Sequence, residues 1–291
     1  MNGSIKHHVI PEFFIKGFCG SDSKVSVYYT DRAKLEKGRR SASQIFYERH
    51  RNTHIINGKK TQIIETIYGV NENIFSKAYE RIISNEFPND ISYYDYIQLI
   101  YFLEELHWRV PSQDTKTKNI INELSFDDLG LFSKDSINNE EVYKKIKNDN
   151  AFIEIAKILK SNQNYNSYDS RKNINDWLIS YLPINEEGCN ILGDNPIILE
   201  NKNAENILDS NFVVNLSKDK AIYKFLNKPK RKLTKRDQLN LDLLTFLQAK
   251  KMVCCSNTDY LNDVVDCARS FYNTDERVEI LRKEIFTLFN K

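Results

Sequence analysis

The stretch 211-NFVVNLSKDKAIYKF-225 decides the fold class, because it has the pattern of two β-strands joined by a turn at residues 217–220. Residues 190–200 (NILGDNPIILE) have similar strand character. Near the other end of the chain, 24-KVSVYY-29 combines β-branched and aromatic residues in partial alternation. Strands near both ends, with other elements between them, predict a sheet assembled from distant segments.

The segments between and after these strands favour helices, since the chain has only 9 glycines and 6 prolines. Apolar periodicity predicts one helix over about 63–83 and a second that starts at Asp90 or Ser92 and stops at Pro111. Three more helices are expected, over about 235–252, 258–270 and 275–289. The predicted fold is a helix-rich α+β domain over 1–291, with a small mixed or antiparallel sheet and a polar helical insertion at about 112–176.

The composition predicts an ordinary globular protein, with 41% apolar and 28% charged residues. Its 42 basic and 40 acidic residues give a net charge of 42 − 40 = +2, so an anionic partner requires a local patch. The five cysteines are an odd number without CxxC spacing, which indicates a reducing cytosol. We found neither a signal sequence nor an apolar run of about 18 residues, and therefore expect a cytoplasmic protein without a membrane span. Heavy use of Lys, Asn and Ile indicates an AT-rich microbial genome.

The N-terminal stretch 7-HHVIPEFFIKGF-18 is the first of several motifs that occur in order along the chain. In it Pro11 suits the first turn of a short helix, which would bury an aromatic face. It is followed by a pair of glutamates, an Arg-x-Pro step and an Asp-Asn-Pro turn. Two less specific motifs end the series. These later motifs are Glu65 with Glu72, Arg109-Val110-Pro111, Gly193-Asp194-Asn195-Pro196, Leu216-Ser217, and Leu239-Asn240 with Ala249.

Together these motifs resemble the domain of unknown function 4238 family over most of the chain. There are two departures: Glu12 stands where a basic residue is common, and Gly193 replaces the usual hydroxyl residue. A phosphate- or metal-facing role is therefore not expected at those two positions. The resemblance implies a family without implying a particular activity.

One hypothesis from these residues is an intracellular metal-assisted hydrolase, a nuclease or nucleotide-processing toxin of the kind used in bacterial defence. In it a histidine is the base or ligand, carboxylates orient a metal or water, and an arginine holds phosphate. The catalytic candidates are His8, Glu65, Glu72, Arg109 and Asp194, and the substrate-binding candidates are His7, Lys16 and Asn195. Mg²⁺ would suit the carboxylates, but the identity of any cofactor stays open.

The alternative hypothesis is a non-enzymatic module that binds nucleic acid or protein and uses the same polar residues as framework. The HNH nuclease pattern needs an asparagine soon after the histidine, and residues 9–51 contain none. His50 and His54 would share a face only in a helix, and no HExxH pattern supports zinc hydrolysis. Nucleic acid or a nucleotide could bind two basic runs, which extend from Arg32 to Arg40 and from Lys228 to Arg236.

Overall fold

A computed structural model describes residues 5–56, 59–84, 91–124, 141, 143–144, 147, 149–168, 176–181, 189–225 and 233–287. The strands in these ranges are β1 (Lys6–His8), β2 (Lys24–Tyr29), β3 (Lys34–Leu35), β4 (Arg40–Ser41), β5 (Tyr47–Arg49), β6 (His54–Ile56), β7 (Lys59–Thr61), β8 (Trp177–Tyr181), β9 (Leu192–Gly193), β10 (Ile198–Leu199), β11 (Phe212–Asn215), β12 (Lys220–Lys224) and β13 (Met252–Cys255). The α-helices there are α1 (Glu12–Lys16), α2 (Ile63–Ser84), α3 (Tyr93–Arg109), α4 (Asp114–Glu123), α5 (Asn150–Ser167), α6 (Lys235–Gln248), α7 (Thr258–Phe271) and α8 (Asp275–Thr287).

The predicted α+β class is confirmed, and every strand pair in the described residues is antiparallel. One sheet has the order β3-β2-β13-β9, with β4 also paired to β2, and so combines strands from both ends of the chain. A second sheet has the order β10-β11-β12-β8. Two further two-stranded sheets pair β1 with β5 and β6 with β7.

The hairpin predicted at 211–225 forms β11 and β12, and its alternating residues enter two different hydrophobic clusters. Val214 is opposite Ile222, and both belong to the cluster that includes α1 and α3. Val213 is opposite Tyr223, and both belong to the cluster that includes α6, α7 and α8. Helices therefore cover both faces of this sheet, which explains why its strands carry few exposed residues.

The two long helices were predicted correctly because their sequence signals are local. Ser92 is the N-cap of α3 and its hydroxyl accepts a hydrogen bond from the Asp95 backbone N–H at 3.1 Å, whereas residue 90 lies outside the described ranges. The helix ends at Arg109, two residues before Pro111. The helix predicted over 235–252 is wrong at its end, because α6 stops at Gln248 and Met252 begins β13.

Helices α4 and α5 fall within the predicted polar insertion, whose boundaries stay a prediction. The second of them packs against α2 and α3 and buries the charged residues Glu154 and Lys157. Residues 125–140, 142, 145–146, 148 and 169–175 of this segment lie outside the described ranges. None of the described helices is long and apolar enough to cross a bilayer.

A buried carboxyl group on α6, that of Asp242, has no cationic partner among the described residues. Asp242 is fully buried and accepts hydrogen bonds from the Tyr260 hydroxyl at 2.6 Å, the Asn215 Nδ2 at 2.8 Å and the Ile191 backbone N–H at 3.0 Å. Burial outweighs these three bonds and raises the pKa of Asp242 to about 7. The side chain therefore ties a helix to a strand end by hydrogen bonds and lacks an ion pair in the described structure.

Candidate functional site

The two histidines of the N-terminal motif lie on β1, which pairs with β5 so that His7 is opposite Glu48 and His8 is opposite Tyr47. Successive side chains of a strand point to opposite faces. His7 is completely buried, and the side chain of His8 keeps 14% of its surface exposed. The two rings therefore have different environments and different partners.

His7 supports the loop that follows β5. Its Nδ1 accepts a hydrogen bond from the Asn52 backbone N–H at 2.7 Å. The Nδ2 of the same asparagine donates to Glu65 Oε2 on α2 at 2.8 Å. In a neutral imidazole the nitrogen that accepts carries no proton, so this arrangement assigns the proton of His7 to Nε2. A strand histidine and a helix glutamate thus hold one loop residue from two sides.

Arg109, at the end of α3, binds the backbone of β1. Its Nε and Nη2 both donate to the His8 carbonyl oxygen, at 3.1 and 2.6 Å. Its Nη1 donates to Glu72 Oε1 at 2.6 Å, and Glu105 Oε1 lies 4.0 Å away. The guanidinium carbon lies 4.2 Å from the ring centroid of Tyr68. Burial opposes the charge, but Glu72, Tyr68 and Glu105 outweigh it and raise the pKa of Arg109.

The ring of His8 makes fewer contacts than its backbone. Its Nε2 is buried without a hydrogen-bond partner in the described structure, and the nearest carboxylate is Glu12 Oε1 at 3.7 Å. Burial lowers the pKa of His8, and Arg109 adds to this, while Glu12 and Glu72 act in the opposite direction. The ring is therefore neutral at pH 7.

A second ionic cluster lies behind Tyr68, whose hydroxyl donates to Glu154 Oε2 at 3.3 Å. Arg51 donates to Glu48, Asp114 and Glu154, each at 2.7 Å. Lys157 is fully buried and contacts both Asp114 and Glu154. Burial lowers the pKa of Arg51, but the three carboxylates more than compensate and raise it. This cluster joins the loop after β5 to α4 and α5.

The loop and the ends of these helices enclose a cleft of about 620 Å³, which we call the loop cleft. Its walls are residues 48–51, 53–54, 149–150 and 153–154, together with Asp114 and Lys118. His54 is 7% exposed, and its Nε2 and the Thr53 Oγ1 are buried without a hydrogen-bond partner in the described structure. Burial lowers the pKa of His54, against the carboxylates of Asp149 and Glu154. Both residues line the cleft, but these two atoms are covered by neighbouring groups and their hydrogen-bonding capacity is unused in the described structure.

The sequence profile of a family described as "Protein of unknown function (DUF4238)" matches residues 6–215. The chain belongs to the DUF4238 family. Comparison with curated proteins and with solved structures returns no match. The match begins at β1 and ends at β11, and it includes His7, His8, Glu65, Glu72 and Arg109. Elements β12, β13 and α6 to α8 lie beyond it.

Asp194, in the fourth motif of the DUF4238 resemblance, has a different set of partners. Its carboxylate accepts from the backbone N–H groups of Lys250 and Lys251, at 2.8 and 2.6 Å. Burial nevertheless raises the pKa of Asp194 above its ordinary value. Asn195 Oδ1 accepts from the Ser112 hydroxyl at 3.2 Å. The motif thus fixes the turn between α6 and β13, beside a cavity of about 170 Å³.

The structure thus groups some of the predicted site residues and separates others. His8, Glu72 and Arg109 are in contact, and His7 with Glu65 holds the adjacent loop. Asp194 follows β9 and accepts hydrogen bonds from the turn after α6, Asn195 accepts one from Ser112, and Lys16 is exposed at the end of α1. Among the described residues, no group of three or more His, Cys, Asp or Glu side chains is arranged to hold a metal ion.

His50 and His54 do not share a helical face. His50 has a φ of 59°, in the left-handed region, and begins the turn after β5, whereas His54 begins β6. Sequence reasoning missed Arg51, Asn52 and Glu154 as members of this site. Their partners lie far away along the chain, as in the contact of Arg51 with a residue 103 positions later, so no spacing pattern marks them.

The predicted basic patches of this DUF4238 member carry less available charge than their sequence indicates. In the 32–40 loop, Arg39 pairs with Asp22 at 3.1 Å and Arg40 pairs with Glu36 at 2.5 Å. Arg32 lies 3.5 Å from Asp31. Residues 228–232 of the second run lie outside the described ranges, and Arg236 lies 3.7 Å from Glu284.

Proposed function

We propose that this DUF4238 chain is a non-enzymatic binding protein of the cytoplasm, and that the loop cleft holds a small ligand with an anionic group. The observation that carries the proposal is the hydrogen bonding of the motif residues to the framework around the cleft. His7 and Glu65 hold Asn52, and Arg109 holds the backbone of β1. Groups committed to internal hydrogen bonds are poorly available to a substrate.

The charges around the loop cleft support an anionic ligand. At its base, the carboxylates of Glu48, Asp114 and Glu154 are matched by Arg51, Lys157 and Lys251. At its rim, Arg49 and Lys118 are exposed, and neither forms an ion pair with another described residue. The rim therefore has two unpaired positive charges, those of Arg49 and Lys118, and one negative charge, that of Asp149, the N-cap of α5.

The cleft also has the size and the polar groups that a small-molecule site requires. Its volume of about 620 Å³ falls within the range of ordinary ligand sites, which is roughly 300–1,000 Å³. The unused Nε2 of His54 and the Thr53 hydroxyl can orient a bound molecule once neighbouring side chains shift to expose them. A mononucleotide combines the required size with phosphate charge. Nucleotide binding at the loop cleft is thus the specific form of the proposal.

A hydrolase is the second candidate, and one observation favours it. Burial raises the pKa of Glu105 to about 7, despite Arg109 at 4.0 Å and a hydrogen bond from Asn71. A carboxyl group that titrates near neutral pH suits general acid–base catalysis. Glu72 contacts the same arginine, so the pair offers two carboxyl groups at one place.

Titration calorimetry of the full chain with ATP tests the proposal. We expect the Kd for ATP to rise about tenfold or more in the double variant Arg49→Gln/Lys118→Gln, because two charged contacts to phosphate are lost. The matched control Arg32→Gln/Lys34→Gln removes the same charge from the other basic loop and should stay within about twofold. Equal effects of the two double variants would reject the loop cleft as the site.

The same preparations separate binding from catalysis. Incubation with RNA, DNA and nucleotides in Mg²⁺ or Mn²⁺ should leave each of them intact. Metal-dependent turnover that disappears in folded His8→Ala would instead establish the hydrolase. The ring of His8 accepts and donates no hydrogen bond through Nε2 in the described structure, so this variant should fold.

A further inference from the structure

A second cleft, of about 260 Å³, lies between α8 and the C-terminal end of α3. Other wall residues come from the strand β10, the end of α6 and the loops that contain Gln113, Asn195, Ile197, Lys202 and Lys250. We call it the α8 cleft. It shares no lining residue with the loop cleft. Two of its polar side chains are more than nine-tenths buried, those of Arg282 and His107.

The first of these is a cation whose charge is incompletely matched. Arg282 is 8% exposed, and its Nη1 donates to the Leu199 carbonyl oxygen at 2.8 Å. Its Nε is buried without a hydrogen-bond partner in the described structure. The nearest carboxylate, Glu279 Oε1, is 3.8 Å from Nε and pairs with Lys202 at the shorter distance of 3.0 Å. Burial outweighs Glu279 and lowers the pKa of Arg282.

The second is a neutral imidazole. His107 is 4% exposed, and its Nε2 is also buried without a hydrogen-bond partner in the described structure. Burial, with a smaller effect of Lys116, lowers the pKa of His107 to about 3. The ring therefore carries no charge at pH 7 and can donate or accept one hydrogen bond through Nε2. Two residues that line one cavity, on separate helices, thus each contain a buried polar atom without a hydrogen-bond partner in the described structure, and such an atom costs free energy.

The other charges of the cleft leave it with a positive excess. The lining contains three cations, Lys202, Lys250 and Arg282, and two carboxylates, Asp275 and Glu279. Glu279 is shared by two of the cations, while Lys250 is exposed and makes no ion pair with a described residue. A guanidinium edge, an ammonium group and an imidazole N–H are the groups that recognise an oxyanion.

We propose that the α8 cleft binds a small oxyanion, a carboxylate or a phosphate group, through Arg282 and Lys250, with His107 Nε2–H as a further donor. The Arg282 and His107 nitrogens are covered by neighbouring side chains, so binding requires one of those side chains to rotate. The volume of about 260 Å³ limits the ligand to a small metabolite. The site combines the end of α3, inside the DUF4238 match, with α8, which lies beyond it. It is independent of the loop cleft.

Calorimetric titration of the full chain with succinate and with inorganic phosphate tests this site and distinguishes the two oxyanion sources. For whichever probe binds, we expect Arg282→Gln to raise the Kd about tenfold or more, as the loss of a charged hydrogen bond implies. Lys283→Gln removes a charge from the adjacent exposed position of the same helix and should change the Kd by less than about twofold. ATP binding at the loop cleft should be unaffected in both variants.

The inference is overturned if neither probe binds the wild-type chain at millimolar concentration, or if Arg282→Gln binds as tightly as the wild type. Lys250→Gln covers the case in which Arg282→Gln does not fold, since Lys250 is exposed and its substitution should still weaken binding about threefold or more. An unchanged Kd in that variant would also reject the site. Because ATP titration reports on the loop cleft alone, failure here leaves the proposed function unaffected.

Discussion

Arg109→Lys separates a framework role of this residue from a role in ligand binding. The substitution keeps the positive charge and the pair with Glu72, but a lysine ammonium lacks the fork that gives two bonds to the His8 carbonyl oxygen. It also loses the stacking on Tyr68. A hydrogen bond to a charged group contributes about 1.5–3 kcal/mol, and two bonds to one acceptor contribute less than their sum. We therefore expect the free energy of unfolding to fall by about 2–4 kcal/mol.

Urea unfolding followed by tryptophan fluorescence measures this change, because Trp108 and Trp177 are both buried. Arg277→Lys is the matched control: Arg277 also donates to a backbone carbonyl, that of Phe271 at 3.2 Å, but it is exposed. The control should change stability by less than about 0.5 kcal/mol. If Arg109→Lys unfolds at the wild-type urea concentration yet weakens ATP binding, Arg109 acts on a ligand and the framework reasoning fails.

Three further substitutions test other parts of the structure by urea unfolding. Asp194→Ala leaves two backbone N–H groups without their acceptor and should cost about 2–3 kcal/mol, and a change below about 0.5 kcal/mol would contradict this assignment. Burial raises the pKa of Asp242 to about 7 in the folded chain, against about 4 in the unfolded chain. Over that window the folded state retains a proton that the unfolded state releases, so stability falls as pH rises. Asp242→Asn should reduce this fall by up to about 1.4 kcal/mol per pH unit, and parallel wild-type and variant profiles would refute the effect. Gly17→Ala places a Cβ that overlaps the Tyr79 hydroxyl and should cost about 1–3 kcal/mol, whereas wild-type stability would mean that the ring moves freely.

The sequence predicts the long elements of this fold better than the short ones. Helix α3 is marked by a cap at Ser92 and a stop at Pro111, and both signals act locally. Strand β13 was missed because its four residues, Met252–Cys255, are a short apolar run without alternation. Such a run continues a preceding helical pattern, and only its pairing with β2 and β9 makes it a strand.

The candidate site was predictable only in part, for a related reason. Glu72 and Arg109 lie on the two predicted helices, and the structure brings them together with His8, whose strand was not predicted. Their roles depend on which atoms meet: Arg109 binds the carbonyl oxygen of His8 and not its ring. Sequence spacing identifies the faces of helices, but it carries no information on contacts between a loop at Arg51 and a helix at Glu154.

The position of β13 between β2 and β9 affects how the chain acquires its structure during synthesis. Ser26 on β2 contacts Thr258, which lies 232 positions later. A ribosome therefore releases β2 and β9 long before the strand that joins them exists. Until then each presents an unpaired edge, the feature that makes nascent chains prone to wrong association. Because β13 must pair with a strand so distant along the chain, we expect this pairing to limit the rate of folding.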